Sequence, residues 1–465
     1  MRTKKFWQIC IPVLALIVGG GLGAYVNRAR MLNILNNHPV PNNMPDSTTV
    51  KIDSTNLPIV FINTKGNTIE REGFVAAYVK IVDNGKDGLN YGDTLAHPKQ
   101  KVDYEGFMAI RYRGNTSYGA PKKSYAIRAI DTQKEGKKKK SKLLGMRKGK
   151  KWALKGSPFD RSMIRDVLTY ELARPYMDFV PQTRFCEVIV DGVYHGVYSL
   201  SEQITADRLK LKKPGDSKSD VTGGYVLQID IHYINKDSVL PSKHWNIVYL
   251  QEYPDCDKLS HNQSRYIYDY IDKVEKSIID GDDTVFDSYI DMLSMIDFQL
   301  SSEFSHNGDA YIFSTFFYKN CDDKDSKLKF SLWDFDLGYG NYSVADCSKA
   351  DTWVYDNQGY WWKDAMKRQA YSDRVKARWK QYRNEKYMDE HINHIIDSLT
   401  NTLTLYDAEK RNSDAWRTFV WQKAWHKEIK PQKYISSSYE EEIAYLKDWI
   451  SRRLKWMDKE LLGEE

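Results

Sequence analysis

The sequence predicts an α+β protein, in which a β-rich part precedes a mostly helical part. Short apolar runs broken by glycine and asparagine fill residues 57–235, and amphipathic helical patterns dominate residues 236–465. A strand-like stretch at 311–341 interrupts the helical part. The chain has 465 residues, of which 41% are hydrophobic, enough for a folded core. A cleft between two such parts is the expected place for a ligand.

The N-terminus predicts a signal anchor or an uncleaved signal peptide. Residues 6–26 are an uncharged, apolar stretch of 21 residues after a short basic region. As a helix rising about 1.5 Å per residue, this stretch spans a bilayer core. The positive charge in front of it predicts that the bulk of the chain is extracytoplasmic, in the periplasm or at the cell surface, either membrane-anchored or secreted. The predicted division is a signal segment (1–30), an Asn- and Pro-rich linker (31–56), a β-rich part (57–235) and a helical part (236–465).

The predicted elements of the β-rich part are mainly strands. Asp191 and Gly192 predict a hairpin turn between two of them. Apolar spacing over 160–176 predicts one helix, with Asp160 as its N-cap and Pro175 at its end. The predicted strands are 57–64, 74–83, 105–114, 123–130, 185–203 (the hairpin) and 223–233.

The helical part is predicted to begin with two amphipathic helices, at 263–279 and 284–304. The strand-like stretch follows, and the remainder from 362 to 463 is charged and helical. Five cysteines occur without CxxC spacing, which argues against a zinc site. Cys321 and Cys347 flank the second half of the strand-like stretch, and a disulfide between them is left open.

One basic run carries the positive charge of the protein. Residues 134–151 hold nine lysines, one arginine and one glutamate, whereas the net charge of the whole chain is only +6. The remainder is therefore slightly acidic, which argues against a nucleic-acid-binding protein. We interpret the run as a solvated hairpin tip; docking to an acidic substrate or an anionic envelope polymer is the alternative.

Two aspartates follow a strand-like run in residues 328–341, LKFSLWDFDLGYGN. Residues two apart on a strand face the same side, so Asp334 and Asp336 are predicted to point the same way. Carboxylate oxygens suit a hard cation such as Mg²⁺, and the alternative is a polar turn. Asp309 lies 25 residues before Asp334, and a hairpin between them would bring the two carboxylates together. Phosphotransferases arrange a catalytic-loop base and a metal-binding aspartate in this way.

A third group of candidates lies in the β-rich part. Lys122 and Lys123 open a strand after a turn rich in Gly, Asn and Ser. A lysine in that position can hold nucleotide phosphates, and the alternative is a hairpin with exposed lysines. Arg111 and Arg113 alternate on one strand, where they reach phosphates or form surface ion pairs.

Several ordered motifs together resemble the spore-coat protein H (CotH) kinase family of atypical secreted protein kinases. The resemblance covers roughly residues 57–345. The motifs are RYRGNTSYGAPKKSYAIR, LLGMRKGKKWALKGSPFDRSMIRDVLTYELAR, RFCEVIVDGVYHGVYSLSEQI, GGYVLQID, HNGDAYIFSTFFYKN and LWDFDLGYGN.

The resemblance implies a two-lobed, protein-kinase-like fold that binds ATP and Mg²⁺ or Mn²⁺. Such kinases phosphorylate secreted or cell-surface proteins. It implies Lys123 as the lysine on the nucleotide phosphates, with Lys122 as its near alternative and Glu202 as the ion-pair partner of that lysine. Gln228, in the segment 223–230, would line the adenine pocket in a position where an acidic residue is expected.

The resemblance also implies the chemical roles of the aspartates. Asp309 matches the catalytic-loop aspartate, and Asp334 matches the metal-binding aspartate, with Asp336 in support. Ser314 stands where kinases carry an asparagine as second metal ligand. Serine coordinates a hard cation more weakly, so two expectations remain: an active metal-dependent kinase, and a weak or inactive kinase fold that acts as a surface scaffold. A phosphatase of the haloacid-dehalogenase type, with Asp334 as nucleophile, is a remoter alternative.

Overall fold

The first seven strands of the β-rich part close into a barrel. The computed structural model describes residues 50–132, 137–217, 220–231, 239–322, 327–341, 348–419 and 436–463. The barrel order is β1-β2-β3-β4-β5-β7-β6, and the closing pair of β1 and β6 is parallel whereas the other pairs are antiparallel. The strands are β1 (Ile59–Asn63), β2 (Val75–Val82), β3 (Val102–Arg113), β4 (Ser124–Ala129), β5 (Lys151–Lys155), β6 (Thr183–Val190) and β7 (Val193–Glu202).

Side chains of β5 alternate between the core of the barrel and its outer surface. Trp152 and Leu154 are fully buried in the barrel core, together with Ile110 of β3. Because successive side chains on a strand point to opposite faces, Ala153 and Lys155 point out of the barrel. Ala153 packs in an interface cluster between the barrel and a second sheet; the buried members of this cluster are Ala153, Phe179, Ile204, Val226, Tyr318 and Trp333.

The second sheet has the antiparallel order β12-β11-β8-β10-β9. It combines strands from both sides of residue 235, where the sequence-based division placed a boundary. On β8 and β11, Leu227 and Phe317 face the main core, whereas Val226 and Tyr318 face the barrel. The strands are β8 (Tyr225–Ile229), β9 (Val239–Pro241), β10 (Val248–Tyr253), β11 (Thr315–Lys319) and β12 (Lys329–Ser331).

The helices pack around the second sheet. The first helix, α1, follows β5 in the chain, and eight of its residues are buried. The helices are α1 (Arg165–Ala173), α2 (His261–Asp280), α3 (Asp283–Tyr289), α4 (Met292–Ser305), α5 (Tyr355–Gln358), α6 (Trp361–Met366), α7 (Gln369–Asn384), α8 (Asp389–Thr404), α9 (Ala408–Trp416) and α10 (Tyr439–Leu462).

Local interactions explain where several helices begin and end. A capping box of Ser260 and Gln263 starts α2, and Gly281 ends it with φ 72°. The predicted helix 284–304 is instead two helices, α3 and α4. Ile290 between them is extended and forms a bridge with Leu328, and the side chain of Asp291 caps the start of α4. The bridge to a distant segment overrides the helical periodicity.

Helix α9 returns from the helical part to contact the barrel. Arg411 Nη2 lies 2.8 Å from Oε2 of Glu187, which is fully buried on β6. Trp416 Nε1 donates a hydrogen bond of 2.9 Å to the carbonyl of His195 on β7. A late segment of the chain is therefore packed against the barrel.

The α+β class predicted from the sequence is confirmed, and so is the hairpin turn at Asp191 and Gly192, which joins β6 to β7. Strand β5 was not predicted. The predicted helix at 160–176 begins only at Arg165, so its N-cap is Ile164 and not Asp160. The part of the basic run from 137 to 151 lies at the surface, with most of its lysines exposed.

Two predictions fall on residues that are not described. The apolar stretch 6–26 and Cys347 both lie outside the described ranges. Within those ranges, no helix is both long and apolar enough to cross a membrane. The signal segment and the disulfide between Cys321 and Cys347 therefore stay predictions.

Candidate active site

A buried lysine lies at the centre of the candidate active site. Lys155, the last residue of β5, is 6% exposed. Its Nζ lies 2.5 Å from Oδ2 of Asp166 and 3.1 Å from Oδ1 of Asp334. The barrel, helix α1 and the loop after β12 thus each supply one charged group. The result is an ammonium group between two carboxylates at the junction of barrel and second sheet.

The surroundings of Lys155 keep it charged. Burial by itself lowers the pKa of an ammonium group, but Asp166 and Asp334 outweigh that effect and hold the pKa of Lys155 well above its ordinary value. The Nζ atom also lies 4.7 Å from the ring centre of Trp333, a cation–π contact. Lys155 is therefore a fixed positive charge, as contact with phosphate oxygens requires.

Asp166 joins α1 to the loop that carries Asp334. Its Oδ1 accepts a 3.0 Å hydrogen bond from the backbone N–H of Phe335, while its Oδ2 holds Lys155. One turn along α1, the hydroxyl oxygen of Tyr170 accepts a 3.3 Å bond from the N–H of Asp334. The rings of Tyr170 and Phe335 meet edge to face at 6.4 Å. The position of α1 therefore sets the position of this loop.

The two aspartates of the loop do not lie on a strand. β12 ends at Ser331, and Asp334 has a left-handed backbone with φ 68°. Strand alternation therefore does not set the directions of Asp334 and Asp336, and the prediction based on it is wrong. The side chain of Asp334 is 39% exposed. Burial and the nearby charge of Asp334 raise the pKa of Asp336 well above its ordinary value, so the two carboxyl groups are nevertheless neighbours.

Asn307 connects the loop of Asp309 to the loop of Asp334. Helix α4 ends at Ser305, and the chain turns after it. The Oδ1 atom of Asn307 accepts a 3.2 Å bond from the N–H of Asp309, and its Nδ2 donates a 3.2 Å bond to the carbonyl of Asp334. The structure thus brings the loops of the two predicted aspartates together, as the sequence suggested.

Ser314 lies at the end of a turn that begins at Asp309. The N–H of Phe313 donates a 2.9 Å bond to the carbonyl of Asp309, which closes that turn. Ser314 follows with φ 48°, half-buried, directly before β11. Its role as a metal ligand stays a prediction.

The predicted ion pair between Lys123 and Glu202 is wrong. Lys123 donates to the carbonyl of Tyr118 and lies 4.7 Å from the ring centre of that residue. Glu202 is fully buried and pairs instead with Arg147, whose Nη2 lies 2.6 Å from Oε2. Glu202 faces the insertion between β4 and β5, because β7 pairs with the start of β5, where Trp152 lies opposite Glu202.

The alternative, Lys122, is engaged elsewhere. Its buried Nζ donates to the carbonyl of Val197, at 2.6 Å, and to Oδ1 of Asn412, at 2.7 Å. Burial lowers the pKa of Lys122 to about 7. Its ammonium group therefore joins β7 to α9.

Gln228 and Arg113 both lie at the junction between barrel and second sheet. Gln228 shares the barrel-facing side of β8 with Val226, and its Nε2 donates a 3.0 Å bond to Oδ2 of Asp230. Arg113 ends β3, and its Cζ lies 4.9 Å from the ring centre of Trp333, the ring that Lys155 also contacts. Burial lowers the pKa of Arg113, while the charge of Asp334 opposes that effect, so Arg113 lies within electrostatic reach of the site.

The polar groups at this site fit a divalent cation and a nucleotide phosphate. Asp334 and Asp336 offer carboxylate oxygens, which Mg²⁺ and Mn²⁺ prefer. The Nη1 atom of Arg113 is buried without a hydrogen-bond partner in the described part of the chain. A phosphate oxygen is the kind of acceptor that would satisfy it.

Lys155 and Asp166 were missed in the sequence, although a signal existed. Residues 152–155 read WALK, similar to the VAIK motif on the lysine strand of protein kinases, and Asp166 follows eleven residues later on the next helix. The predicted lysines, Lys122 and Lys123, lie directly before the first strand after the glycine turn. The relevant lysine lies on the second strand, beyond the basic insertion.

A strand lysine paired with a helix carboxylate and facing a loop aspartate is the arrangement of the kinase class of phosphotransferases. A family model described as CotH kinase protein matches residues 110–457, which include every residue of this site. The chain belongs to the CotH kinase family. No curated protein matched the chain.

Proposed function

We propose that this protein transfers the terminal phosphate of ATP to a protein hydroxyl group, with Mg²⁺ or Mn²⁺. The observation that carries the proposal is the Lys155–Asp166 pair facing Asp334. In this proposal the barrel and the helical part act as the two lobes of a kinase-like fold. The order of elements along the chain also resembles that of protein kinases. A glycine turn joins β3 to β4, the lysine lies on β5, and the carboxylate lies on α1.

Each polar group has a separate role in this proposal. Lys155 and Arg113 bind phosphate oxygens and offset their charge. Asp334, supported by Asp336, would hold the divalent ion, which neutralises charge on the phosphates when bound. Asp309 accepts the proton of the substrate hydroxyl group. The hydroxyl oxygen attacks the terminal phosphorus of ATP, and the bond between that phosphorus and the ADP oxygen breaks.

The proposed substrate is a secreted or cell-envelope protein. This part of the proposal is supported by the family and by the apolar stretch 6–26, which would attach the chain to a membrane or direct its export. The barrel-facing side of β8, with Val226 and Gln228, is the proposed wall of the adenine pocket. No nucleic acid is expected as a partner.

Self-labelling with ATP tests the function directly. The full-length protein is incubated with labelled ATP and Mn²⁺, beside the variants Asp309→Asn and Asp334→Asn. We expect the wild-type protein to incorporate label, Asp309→Asn to lose transfer but keep metal-dependent ATP binding, and Asp334→Asn to lose both. Undiminished labelling by either variant would show that the corresponding assignment is wrong.

A second candidate function is that of a weakly active or inactive kinase fold serving as a surface scaffold. Ser314 favours it, because this residue replaces the asparagine that completes the metal site in kinases. Absence of any effect of ATP with Mg²⁺ or Mn²⁺ on the melting temperature would favour the scaffold.

A further inference from the structure

Arg165, which directly precedes Asp166 in the sequence, belongs to a buried network of charged side chains that extends to helix α10. Arg165 is fully buried, and its Nη1 lies 2.6 Å from Oδ1 of Asp160. Its Nη2 lies 2.8 Å from Oε1 of Glu442 on α10. The Nε atom of Arg161 lies 3.8 Å from the other carboxylate oxygen of Glu442. Two arginines and two carboxylates thus balance one another without access to water.

Further bonds attach the loop before α1 to the start of α10. Arg161 Nη1 donates to the carbonyl of Ser436, at 2.8 Å, and the hydroxyl of Tyr439 donates to the carbonyl of Ser162, at 3.1 Å. The Ser436 hydroxyl donates to Glu442 at 2.5 Å. The side chains of Arg165 and Glu442 are both fully buried, so their charge attraction is only weakly screened.

The network replaces an ordinary helix cap. The N-cap of α1 is Ile164, whose side chain makes no capping bond. The start of the helix is instead fixed by Asp160, whose Oδ2 accepts a 3.0 Å bond from the N–H of Arg165, and by Glu442 through the Arg165 side chain. The start of this nine-residue helix is therefore linked to α10 through buried charged side chains.

We propose that Glu442, acting through Arg165, is a positioning residue for the active site: it holds α1 so that Asp166 can orient Lys155 and the loop of Asp334. Arg165 and Asp166 are consecutive, so a shift of one moves the other. Asp166 in turn holds both Lys155 and the N–H of Phe335. Glu442 itself contacts neither ATP nor metal in this scheme. The catalytic consequence rests on the proposed function, whereas the positioning does not.

A matched pair of variants separates positioning from stability. Glu442→Gln removes a fully buried carboxylate that lies 2.8 Å from an arginine. Glu187→Gln removes another, which lies 2.8 Å from Arg411 and joins α9 to the barrel. Both variants are expected to lower the melting temperature, because each removes a buried carboxylate that pairs with an arginine. Only Glu442→Gln disturbs the neighbours of Asp166.

Hydrogen exchange followed by mass spectrometry gives a readout that does not depend on catalysis. The Phe335 N–H is protected by its bond to Asp166, so we expect Glu442→Gln to speed exchange in the peptide around Phe335 at least tenfold, and Glu187→Gln to change it less than twofold. Equal exchange in both variants would overturn the proposal. If Glu442→Gln does not fold, Glu442→Asp, which keeps the charge but shortens its reach, provides the same comparison.

The activity arm tests the catalytic consequence. Well below the melting temperature of both variants, we expect Glu442→Gln to lower kcat at least tenfold while the KM for ATP changes less than threefold, and Glu187→Gln to keep kcat within twofold of wild type. A kcat of Glu442→Gln within twofold of wild type would overturn the catalytic role. If exchange around Phe335 is faster in Glu442→Gln but the wild-type protein transfers no phosphate, the positioning stands and the proposed function is refuted instead.

Discussion

At the scale of single residues, the surrounding charges decide which lysine is suited to bind nucleotide phosphates. Lys155 lies between two carboxylates and stays protonated despite its burial. Lys122 is also buried, but its neighbours are a carbonyl and an amide oxygen, and burial lowers its pKa. Only an ammonium with carboxylate partners remains a dependable positive charge in a site with little water.

Replacing the two candidate lysines in turn distinguishes them. We expect Lys155→Met to lower phosphotransfer at least one hundredfold, because it removes a charge that is oriented by Asp166 and faces Asp334. Lys123→Met should retain activity within a few-fold, because that ammonium group is held by the Tyr118 carbonyl. Steady-state rates of self-labelling measure both. The reverse order of activities would restore Lys123 as the phosphate lysine.

Ser314 offers a gain-of-function prediction. Its backbone is left-handed, with φ 48°, a conformation that asparagine adopts more readily than most residues. Ser314→Asn should therefore fold normally and lower the Mn²⁺ concentration needed for half-maximal activity several-fold, since an amide oxygen is a better ligand than a hydroxyl. Ser314→Ala is the control and should raise that concentration. Identical metal titrations for all three proteins would show that residue 314 does not reach the ion.

The residues of the site were only partly predictable. Asp309 and Asp334 stand out because each follows an apolar element and because the spacing between them matches a known motif; the structure links their loops through Asn307. Lys155 did not stand out, because β5 is short and begins at Lys151, the last residue of the basic run. The ion pair was wrongly assigned to Glu202 because register between distant strands is not visible in local sequence.

At the scale of secondary-structure elements, β7 and α9 form a contact that is sensitive to acid. His195 on β7 bonds to the hydroxyl of Tyr125 at 3.1 Å, and its carbonyl accepts from Trp416 on α9. Burial, together with the nearby charge of Lys122, lowers the pKa of His195 to about 4. Its imidazole is therefore neutral in the folded protein at pH values where the unfolded chain is already protonated.

The sign of the pH effect follows from that difference. Between pH 6.5 and about 4 the unfolded state binds a proton that the folded state does not, so stability falls as the pH falls. His195→Gln should remove up to about 3 kcal/mol of this acid destabilisation at pH 4. Denaturant unfolding at several pH values measures it.

Elements were predictable where their signals are local. The β6–β7 hairpin has a two-residue turn, and α2 has a capping box and a terminal glycine, so both could be found in the sequence. The break between α3 and α4 could not, because it depends on the bridge of Ile290 to Leu328, far along the chain. Long-range pairing decided the outcome for this break.

At the scale of the whole molecule, one apolar core includes residues from both predicted parts. The main core runs from Leu57, before β1, to Leu461, in α10, and takes in α1 and the second sheet. Leu168 of α1 and Trp449 of α10 are both fully buried in it. The active site therefore lies on a body in which early and late segments stabilise one another.

Ligand binding should accordingly be visible in the stability of the whole protein. In the proposed function ATP with Mn²⁺ would bind the folded state only, and a ligand at one hundred times its Kd adds about 2.7 kcal/mol to the free energy of unfolding. We expect a higher melting temperature that a metal chelator reverses. In Asp334→Asn the metal-dependent part of the shift should be lost. A shift that survives both treatments would place nucleotide binding elsewhere.

The path from Glu442 through Arg165 to Asp166 has a consequence for the order of synthesis. Translation completes the barrel, α1 and the loop of Asp334 long before it reaches residue 442. A nascent chain at that stage holds every group of the site but lacks the carboxylate that fixes α1. The proposed phosphotransfer would therefore be acquired late, once α10 has been made and docked. A polypeptide that stops short of α10 is expected to be inert rather than weakly active.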